Sequence, residues 1–551
     1  MSTNELNSSQ QAFDRIETSY LSTWCRFHPE QALDAGIEDH AGKLTPVDDE
    51  SIGIQIVLNE KCLTALDEID FSQLDAVRQT NYHVLHGSAE LEHHALMDHD
   101  WRHRDPTRFL PVNAIHQLTI RPVTDLATVL KQRLDAIPSH IREAKHYLSS
   151  SAELIPKVWL EMAIAEAESS VDYLHHIHHQ PEINQAINDD DSLEQSLADA
   201  ATALDSFAHT LHRLERHSNG DFAIATEQFD RLLKQQHFLP INSHALHDFG
   251  QRLFNQTKQQ LEQALKESDS SLEDIQLHHP TSEVLLATYQ QEMKAAESFL
   301  RENDLISMPQ LQTLKVIETP TFLQHQIPFA AYLDPSIADL EQTAYYYVTP
   351  NKNNAELAEH NFAAISQTSI HEAWPGHHLQ FVTANQATDG SSLLRRLHPS
   401  ATLFEGWALY CEQMMLEQGF ERYPGQEIIM LRDRLWRALR IIIDVEIHTQ
   451  NLSLEDAAQK MVDELGFSFE QAMGECRWYS QSPTVPMSYA VGWALINALR
   501  EIIDPETEQD LKAFHDTLLS SGSIALSLVI QAQFGQETWL KCCHHVFGEQ
   551  Q

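Results

Sequence analysis

Apolar residues recur every three or four positions along most of this 551-residue chain, which is the spacing of amphipathic α-helices. Clear examples are VWLEMAIAEAESSVDYLHHI, SLEQSLADAATALDSFAHTLHRLERH and ALHDFGQRLFNQTKQQLEQALKES. The spacing continues on both sides of the middle of the chain. The pattern therefore predicts a mainly α-helical protein.

The pattern changes near Leu314, where KVIETPTF and TAYYYVTP are rich in β-branched and aromatic residues and are flanked by prolines. Such segments predict two or three short strands, in which Tyr345 and Tyr347 would share a face. The chain is also longer than a single hydrophobic core usually grows. We therefore predict a helical N-terminal lobe at residues 1–300 and a second lobe at residues 301–551 that contains a small sheet.

The segment HEAWPGHHLQ opens with the pattern that zinc hydrolases use. His371 would be a metal ligand, and Glu372 beside it would be the general base. His377 lies six residues after His371, and a regular helix would turn through about 240° over that distance. Pro375 and Gly376 lie in the gap, so we expect a bulge or break that returns His377 to the metal side.

Two further residues complete the predicted site. His378 lies seven residues after His371 and would share its face in an unbroken helix, so it stays an alternative to His377. Glu405, in LFEGWALYCEQ, is the third candidate ligand. The intervening chain has room for a helix end, a loop and an antiparallel helix. The sequence thus predicts a zinc site of His371, Glu405 and one of the two neighbouring histidines.

Several segments together resemble the domain of unknown function 885 family, which comprises predicted zinc metallopeptidases distantly similar to helical oligopeptidases. They are ETPTF (318–322), AYYYV (344–348), HEAWPGHHLQ (371–380), FEGWALYCE (404–412), RIIIDVEIH (440–448) and ECRWYSQSPTVPMSYAVG (475–492). The resemblance implies a two-lobed helical metallopeptidase-like architecture, with the sheet beside the metal-binding helix. It also implies Zn²⁺ as cofactor and short peptides as substrates.

Residues downstream of the metal segment are candidates for contact with substrate. In the helical peptidases that this family resembles, a tyrosine after the zinc helix stabilises the oxyanion, which implies Tyr489 for that role. Arg477 could bind a substrate carboxylate, or it could join two helices by a salt bridge. Tyr479 is placed near the reaction. Asp444 and His448 share a helix face and would either line the cleft or form a buried pair.

The charge of the chain excludes some partners. With 37 basic and 80 acidic side chains, the net charge is −43, which argues against nucleic acid and anionic membranes. The N-terminal MSTNELNSSQQAFDR has no basic start followed by an apolar segment, so we expect a cytoplasmic location. The six cysteines form no C-x-x-C pair and are expected to be buried thiols.

These patterns predict a zinc metallopeptidase that hydrolyses short peptides with a metal-activated water, with Glu372 as base and Tyr489 as oxyanion donor. Two alternatives stay open. One is a metal-dependent hydrolase of a non-peptide amide or ester, and the other is a non-catalytic metal-binding protein. The sequence does not distinguish an endopeptidase from an exopeptidase.

Overall fold

The protein is represented by a computed structural model that describes residues 7–190, 192–268, 271–320, 323–324, 327, 329–349, 357–387 and 392–548. Part of the ETPTF segment, residues 321 and 322, lies outside the described residues. The described chain forms two compact units. The first contains the residues up to Phe222 with two short later pieces near Leu323 and at Ser336–Leu340, and the second contains the remainder.

The first unit is built mainly from helices whose buried residues follow the predicted spacing. Leu130, Leu134, Ile137 and Ile141 form one buried stripe of a helix, at intervals of four, three and four residues. The helices are Ser8–Phe27 (α1), Pro29–Asp34 (α2), Asp49–Asp67 (α3), Ala76–Asp98 (α4), Val112–Ile120 (α5), Leu126–Ser150 (α6), Lys157–His176 (α7), Pro181–Asp189 (α8) and Ser192–Leu214 (α9). Helices α6 and α7 both pack against α9.

The second unit is larger and contains the remaining described helices. They are Ala225–Gln235 (α10), Ser243–Glu267 (α11), Leu272–Gln276 (α12), Leu285–Asn303 (α13), Phe362–Glu372 (α14), His377–Gln386 (α15), Leu393–Leu397 (α16), Ala401–Glu417 (α17), Gln426–Thr449 (α18), Leu454–Leu465 (α19), Phe469–Gln481 (α20), Ser488–Ile503 (α21), Glu508–Leu519 (α22), Leu526–Phe534 (α23) and Gln536–Phe547 (α24). The predicted mainly helical fold is confirmed.

The chain passes from the first unit to the second after Phe222. The sequence pattern divides the chain further downstream, at residue 300. The reason is the packing of α11 along α18. Gly250 allows this close approach, because a Cβ atom there would lie 2.8 Å from Cγ2 of Ile441. Helices α10 to α13 therefore belong to the second unit, because their contacts are with its other helices and strands.

A three-stranded sheet interrupts the helices of the second unit. Its strands are Thr313–Glu318 (β1), Ala330–Leu333 (β2) and Thr343–Val348 (β3). The order is β1-β3-β2, with β1 parallel and β2 antiparallel to the central β3. The rings of Tyr345 and Tyr347 stack with centroids 6.3 Å apart, so the two residues share a face as predicted. Tyr332 of β2 lies opposite Tyr346 of β3. Its side chain contacts His377 and His378 at the start of α15.

Two further expectations concern the whole chain. All six cysteines are free thiols and buried, as predicted. None of the described helices combines the length and the apolar character needed to cross a bilayer.

Candidate metal centre

The helix that begins the metal segment breaks between its two histidines. Helix α14 ends at Glu372 and α15 begins at His377. Between them, the backbone N–H of Gly376 donates to the carbonyl oxygen of Ile370 at 3.0 Å, which folds the chain back onto the last turn of α14. A Cβ atom on residue 376 would lie 1.8 Å from the carbonyl oxygen of His371, so glycine is required here. The structure has the break that the sequence predicted.

This break brings His371 and His377 to the same carboxylate. Nε2 of His371 lies 3.4 Å from Oε2 of Glu405, and Nε2 of His377 lies 3.2 Å from the same oxygen. The three ligand atoms are all within 4.8 Å of one another. Ligand atoms about 2.1 Å from a tetrahedral zinc ion are about 3.4 Å apart. The separations from Glu405 match that geometry.

The environment of Glu405 also suits a bound cation. Its Oε2 is buried and has no hydrogen-bond partner within the described part of the chain. Burial alone raises the pKa of this carboxyl, but His377 and His371 hold it well below its usual range. A charged, buried oxygen without a hydrogen bond is costly unless a cation approaches it. Two imidazole nitrogens and one carboxylate oxygen form a ligand set that fits zinc.

His378 points away from this group. Its Nε2 lies 2.9 Å from Oε1 of Gln312, and its Nδ1 lies 3.1 Å from the hydroxyl of Tyr332. Because Oε1 can only accept, Nε2 of His378 donates and Nδ1 accepts from the tyrosine. Burial lowers the pKa of His378 to about 3, which agrees with a neutral ring. Both nitrogens are therefore engaged, and of the two neighbouring histidines it is His377 that lies at Glu405.

Replacing each of the adjacent histidines separates these two roles. We expect His377→Ala to lose most bound zinc, because one of three converging ligand atoms is removed. His378→Ala is the matched control and should keep close to one equivalent of zinc. The zinc content of each purified variant, measured by plasma emission, checks this. The reverse order would show that the helix break is not where the structure has it.

Glu412 is a component of the site that the sequence reasoning did not identify. Its Oε1 lies 2.7 Å from Nδ1 of His371, and the residue is only 2% exposed. Burial lowers the pKa of His371, but the carboxylates of Glu405 and Glu412 outweigh this and raise it to about 10. A carboxylate that accepts from the second nitrogen of a ligand histidine fixes its tautomer and orientation. The signal in the sequence was the seven-residue spacing of the two glutamates on one helix face.

Glu372 has the properties of a general base in this position. It is the last residue of α14, follows His371 directly and is half-buried. Burial raises the pKa of its carboxyl, and the charge of Glu405 raises it further, whereas His371 and His377 oppose the shift. A carboxylate with a raised pKa accepts a proton more readily near neutral pH. Its oxygens are not among the three converging ligand atoms.

Tyr489 reaches the site through a close contact between α17 and α21. A Cβ atom on Gly406 would lie 2.5 Å from Cα of Gly492, so the two backbones touch at these glycines. Gly406 follows Glu405, and Gly492 is one turn beyond Tyr489. The ring of Tyr489 stacks beside that of His371, with centroids 6.4 Å apart, and burial together with the charge of Glu405 raises the pKa of its hydroxyl. The structure therefore brings this predicted residue to the group of His371, His377 and Glu405.

Tyr479 and His448 are in the core between α18 and α20. The hydroxyl of Tyr479 accepts from Nε of Arg440 and donates to Glu475, both at 2.9 Å. Nε2 of His448 donates to the carbonyl oxygen of Tyr479 at 3.0 Å. Tyr479 is 0% and His448 is 1% exposed. Neither of these predicted substrate-binding side chains is open to a substrate in this structure, because helical spacing does not distinguish a cleft face from a core face.

Asp444 and His448, which the sequence places on one helix face, are both buried in the core. Nε2 of the histidine lies 3.9 Å from Oδ1 of Asp444, whose carboxylate accepts from the backbone N–H of Thr484 at 3.1 Å. Thr484 is in the turn that leads into α21. The pair therefore supports the helix that carries Tyr489.

Arg477 is partly buried on α20. Among the described residues, no carboxylate forms an ion pair with its guanidinium. Its role as a receptor for a substrate carboxylate stays a prediction.

A known protein family matches most of this chain. The family described as "Bacterial protein of unknown function (DUF885)" matches residues 29–532. The chain belongs to the DUF885 family. The family resemblance predicted from the sequence is confirmed. A search of curated proteins finds no match to this DUF885 protein.

Two solved structures share the fold of this DUF885 protein. One is a candidate lipoprotein of unknown function from Shewanella oneidensis, with a TM-score of 0.74 and 19% identity over 95% of this chain and 99% of that chain. The other is a candidate lipoprotein from Colwellia psychrerythraea, with a TM-score of 0.78 and 17% identity over 96% of this chain and 99% of that chain. A more distant match is metallocarboxypeptidase 1 of Trypanosoma cruzi, with 12% identity over 98% of this chain and 100% of that chain. Its TM-score of 0.40 is too low to establish a shared fold.

Proposed function

We propose that this DUF885 protein is a zinc-dependent hydrolase that cleaves short peptides. The observation that supports this most is the convergence of His371, His377 and Glu405. Glu372 directly follows His371, and the ring of Tyr489 stacks beside that of the same histidine. A ligand set, a base and a hydrogen-bond donor in one group are the components of a hydrolytic site. A protein that only stores or binds metal has no use for the base.

The residues divide the chemistry between them. A zinc ion held by the two histidines and Glu405 would supply a Lewis acid, which polarises a carbonyl oxygen and lowers the pKa of water. Glu372 takes a proton from the attacking water and passes it to the leaving amine. The peptide C–N bond breaks, and the hydroxyl of water goes to the acyl carbon. Tyr489 donates a hydrogen bond to the oxyanion that forms in the transition state.

The sheet beside the site supports a peptide as the substrate. β2 is an edge strand of the sheet that the described residues form, and the ring of Tyr332 stacks on that of His377 with centroids 6.0 Å apart. An edge strand can bind an extended peptide through its backbone without selecting side chains. A simple ester or amide would not use such an edge.

The direct test is cleavage of a mixture of short synthetic peptides by the zinc-loaded protein. We expect cleavage that stops after chelation and returns when zinc is added. Mass spectrometry of the mixture identifies the products. If the zinc-loaded protein cleaves no peptide but hydrolyses acyl amides or esters, the peptidase proposal is wrong and the broader hydrolase is right.

Tyr489→Phe tests the oxyanion donor separately. Because the hydroxyl acts mainly in the transition state, we expect kcat to fall about 10²–10³-fold with little change in KM. The ring and its packing are kept, so the zinc content should equal that of the wild type. Steady-state kinetics on one cleaved peptide measure the effect. An unchanged kcat would remove Tyr489 from the mechanism.

A further inference from the structure

Three polar side chains of α15 connect this helix with the sheet. His378, in the first turn, contacts Gln312 just before β1 and Tyr332 on β2. Asn385 and Gln386, in the last turn, donate to oxygen atoms of the segments next to the strands. The sheet is therefore attached to α15 at both ends of the helix.

Of these connections, the one through His378 lies next to the proposed metal ligands. His378 directly follows His377, whose Nε2 lies 3.2 Å from Oε2 of Glu405. The ring of Tyr332 stacks on that of His377, with centroids 6.0 Å apart. The hydroxyl of the same tyrosine lies 3.1 Å from Nδ1 of His378. Two neighbouring residues of α15 therefore hold Tyr332, one through its ring and the other through its hydroxyl.

The His378 ring is itself firmly held. It is 0% exposed, and it meets the ring of Trp374 edge-on with centroids 4.9 Å apart. Its Nε2 lies 2.9 Å from Oε1 of Gln312. A side chain with both polar atoms hydrogen-bonded and its ring packed is locked in one rotamer. Since β1 and β2 are the outer strands of the sheet that the described residues form, this one ring connects both of them with the helix of His377.

We propose that His378 is a positioning residue, which fixes Tyr332 and the edge strand β2 relative to His377. A peptide extended along β2 then presents one of its peptide bonds to Glu372 and Tyr489. This inference rests on the proposed function and specifies how the sheet takes part in it. An extended peptide forms more backbone hydrogen bonds with an edge strand as it becomes longer. Affinity should therefore rise with peptide length as long as β2 is held in place.

Peptide length separates this role from zinc binding and from turnover. The zinc-loaded Glu372→Gln protein is titrated in a calorimeter with penta-alanine and with tri-alanine, both with free ends. We expect the pentapeptide to bind about tenfold more tightly, as one or two added backbone hydrogen bonds would provide. Adding His378→Phe should reduce this ratio to within about twofold, because phenylalanine keeps the ring but forms neither hydrogen bond. Zinc content should stay close to one equivalent.

Two further variants test whether the effect passes through Tyr332. Tyr332→Phe removes only the hydroxyl and should lower the ratio as far as His378→Phe does. The double variant should be no lower than either, because two residues that act through one contact are not additive.

Asn385→Leu is the matched control at the other end of α15. It removes the hydrogen bonds to Oε1 of Gln342 at 2.8 Å and to the carbonyl oxygen of Pro335 at 3.3 Å. This variant should have a lower Tm, measured by circular dichroism, and an unchanged affinity ratio. It therefore separates a general loosening of the sheet from the loss of position beside His377.

The inference is wrong if the two peptides bind Glu372→Gln equally, if neither binds, or if the ratio survives in His378→Phe or in Tyr332→Phe. It is also wrong if Asn385→Leu lowers the ratio as far as His378→Phe. The peptidase proposal is decided separately, by cleavage of the peptide mixture. Cleavage together with an affinity that does not depend on length keeps the peptidase and removes the positioning role. A ratio that depends on His378 without any cleavage keeps the positioning of a bound peptide and removes the peptidase.

Discussion

Glu372→Gln is expected to bind zinc at the wild-type level and to hydrolyse short peptides about 10²–10⁴ times more slowly. Glutamine keeps the shape and the hydrogen-bonding capacity of the side chain but cannot accept the proton of the attacking water. The metal should remain, because Glu372 contributes none of the three converging ligand atoms. Zinc content and kcat, measured on the same preparation, show both effects.

A surface glutamate provides the control for this substitution. Glu417, at the end of α17, forms a half-exposed ion pair with Arg500. Glu417→Gln should leave zinc content and turnover within about twofold of the wild type, since exposed pairs contribute little. Full activity of Glu372→Gln on peptides that the wild type cleaves would show that the mechanism proposed here is wrong.

The second large effect is expected from His371→Ala, which should lose most of the bound zinc. His371 is held from two sides, by Glu405 through Nε2 and by Glu412 through Nδ1. Its removal leaves both carboxylates buried without that partner, so a lower Tm should accompany the loss of metal. Helical content at room temperature should change little, because one site does not hold a chain of this size. Zinc analysis and circular dichroism measure the two quantities.

Glu412→Gln gives an intermediate case. It keeps His371 as a ligand but weakens the partner that orients the ring, so zinc affinity should fall about 10–100-fold rather than disappear. Competition with a zinc-binding dye gives the affinities. The expected order is wild type, then Glu412→Gln, then His371→Ala. If His371→Ala kept a full equivalent of zinc, the ligand assignment would be incorrect.

The parts of the site that could be predicted are those encoded over short stretches of sequence. Pro375 and Gly376 indicated the helix break, and the break decides how His371 and His377 approach the same oxygen of Glu405. Glu405 could be predicted because the chain between His377 and Glu405 is long enough for a loop and an antiparallel helix that bring its carboxylate back to the histidines. Glu412 was missed because its contact with His371 joins residues 41 apart in the chain. Helix periodicity shows which residues share a face and does not show what covers that face.

The same limitation explains the residues that the sequence placed differently. His448 shares a face of α18 with Asp444, but α20 packs against α18 and its Tyr479 carbonyl oxygen accepts from that histidine in the core.

The contact between Gly406 and Gly492 has a consequence for engineering this protein. The separation of Glu405 and Tyr489 is set by two backbones that touch, so repacking of side chains elsewhere should alter thermal stability more than it alters the spacing of these two groups. A variant library could therefore redesign much of the surrounding hydrophobic interior and still preserve the arrangement. The two glycines themselves should be held constant, since even a methyl group at either one would force the helices apart.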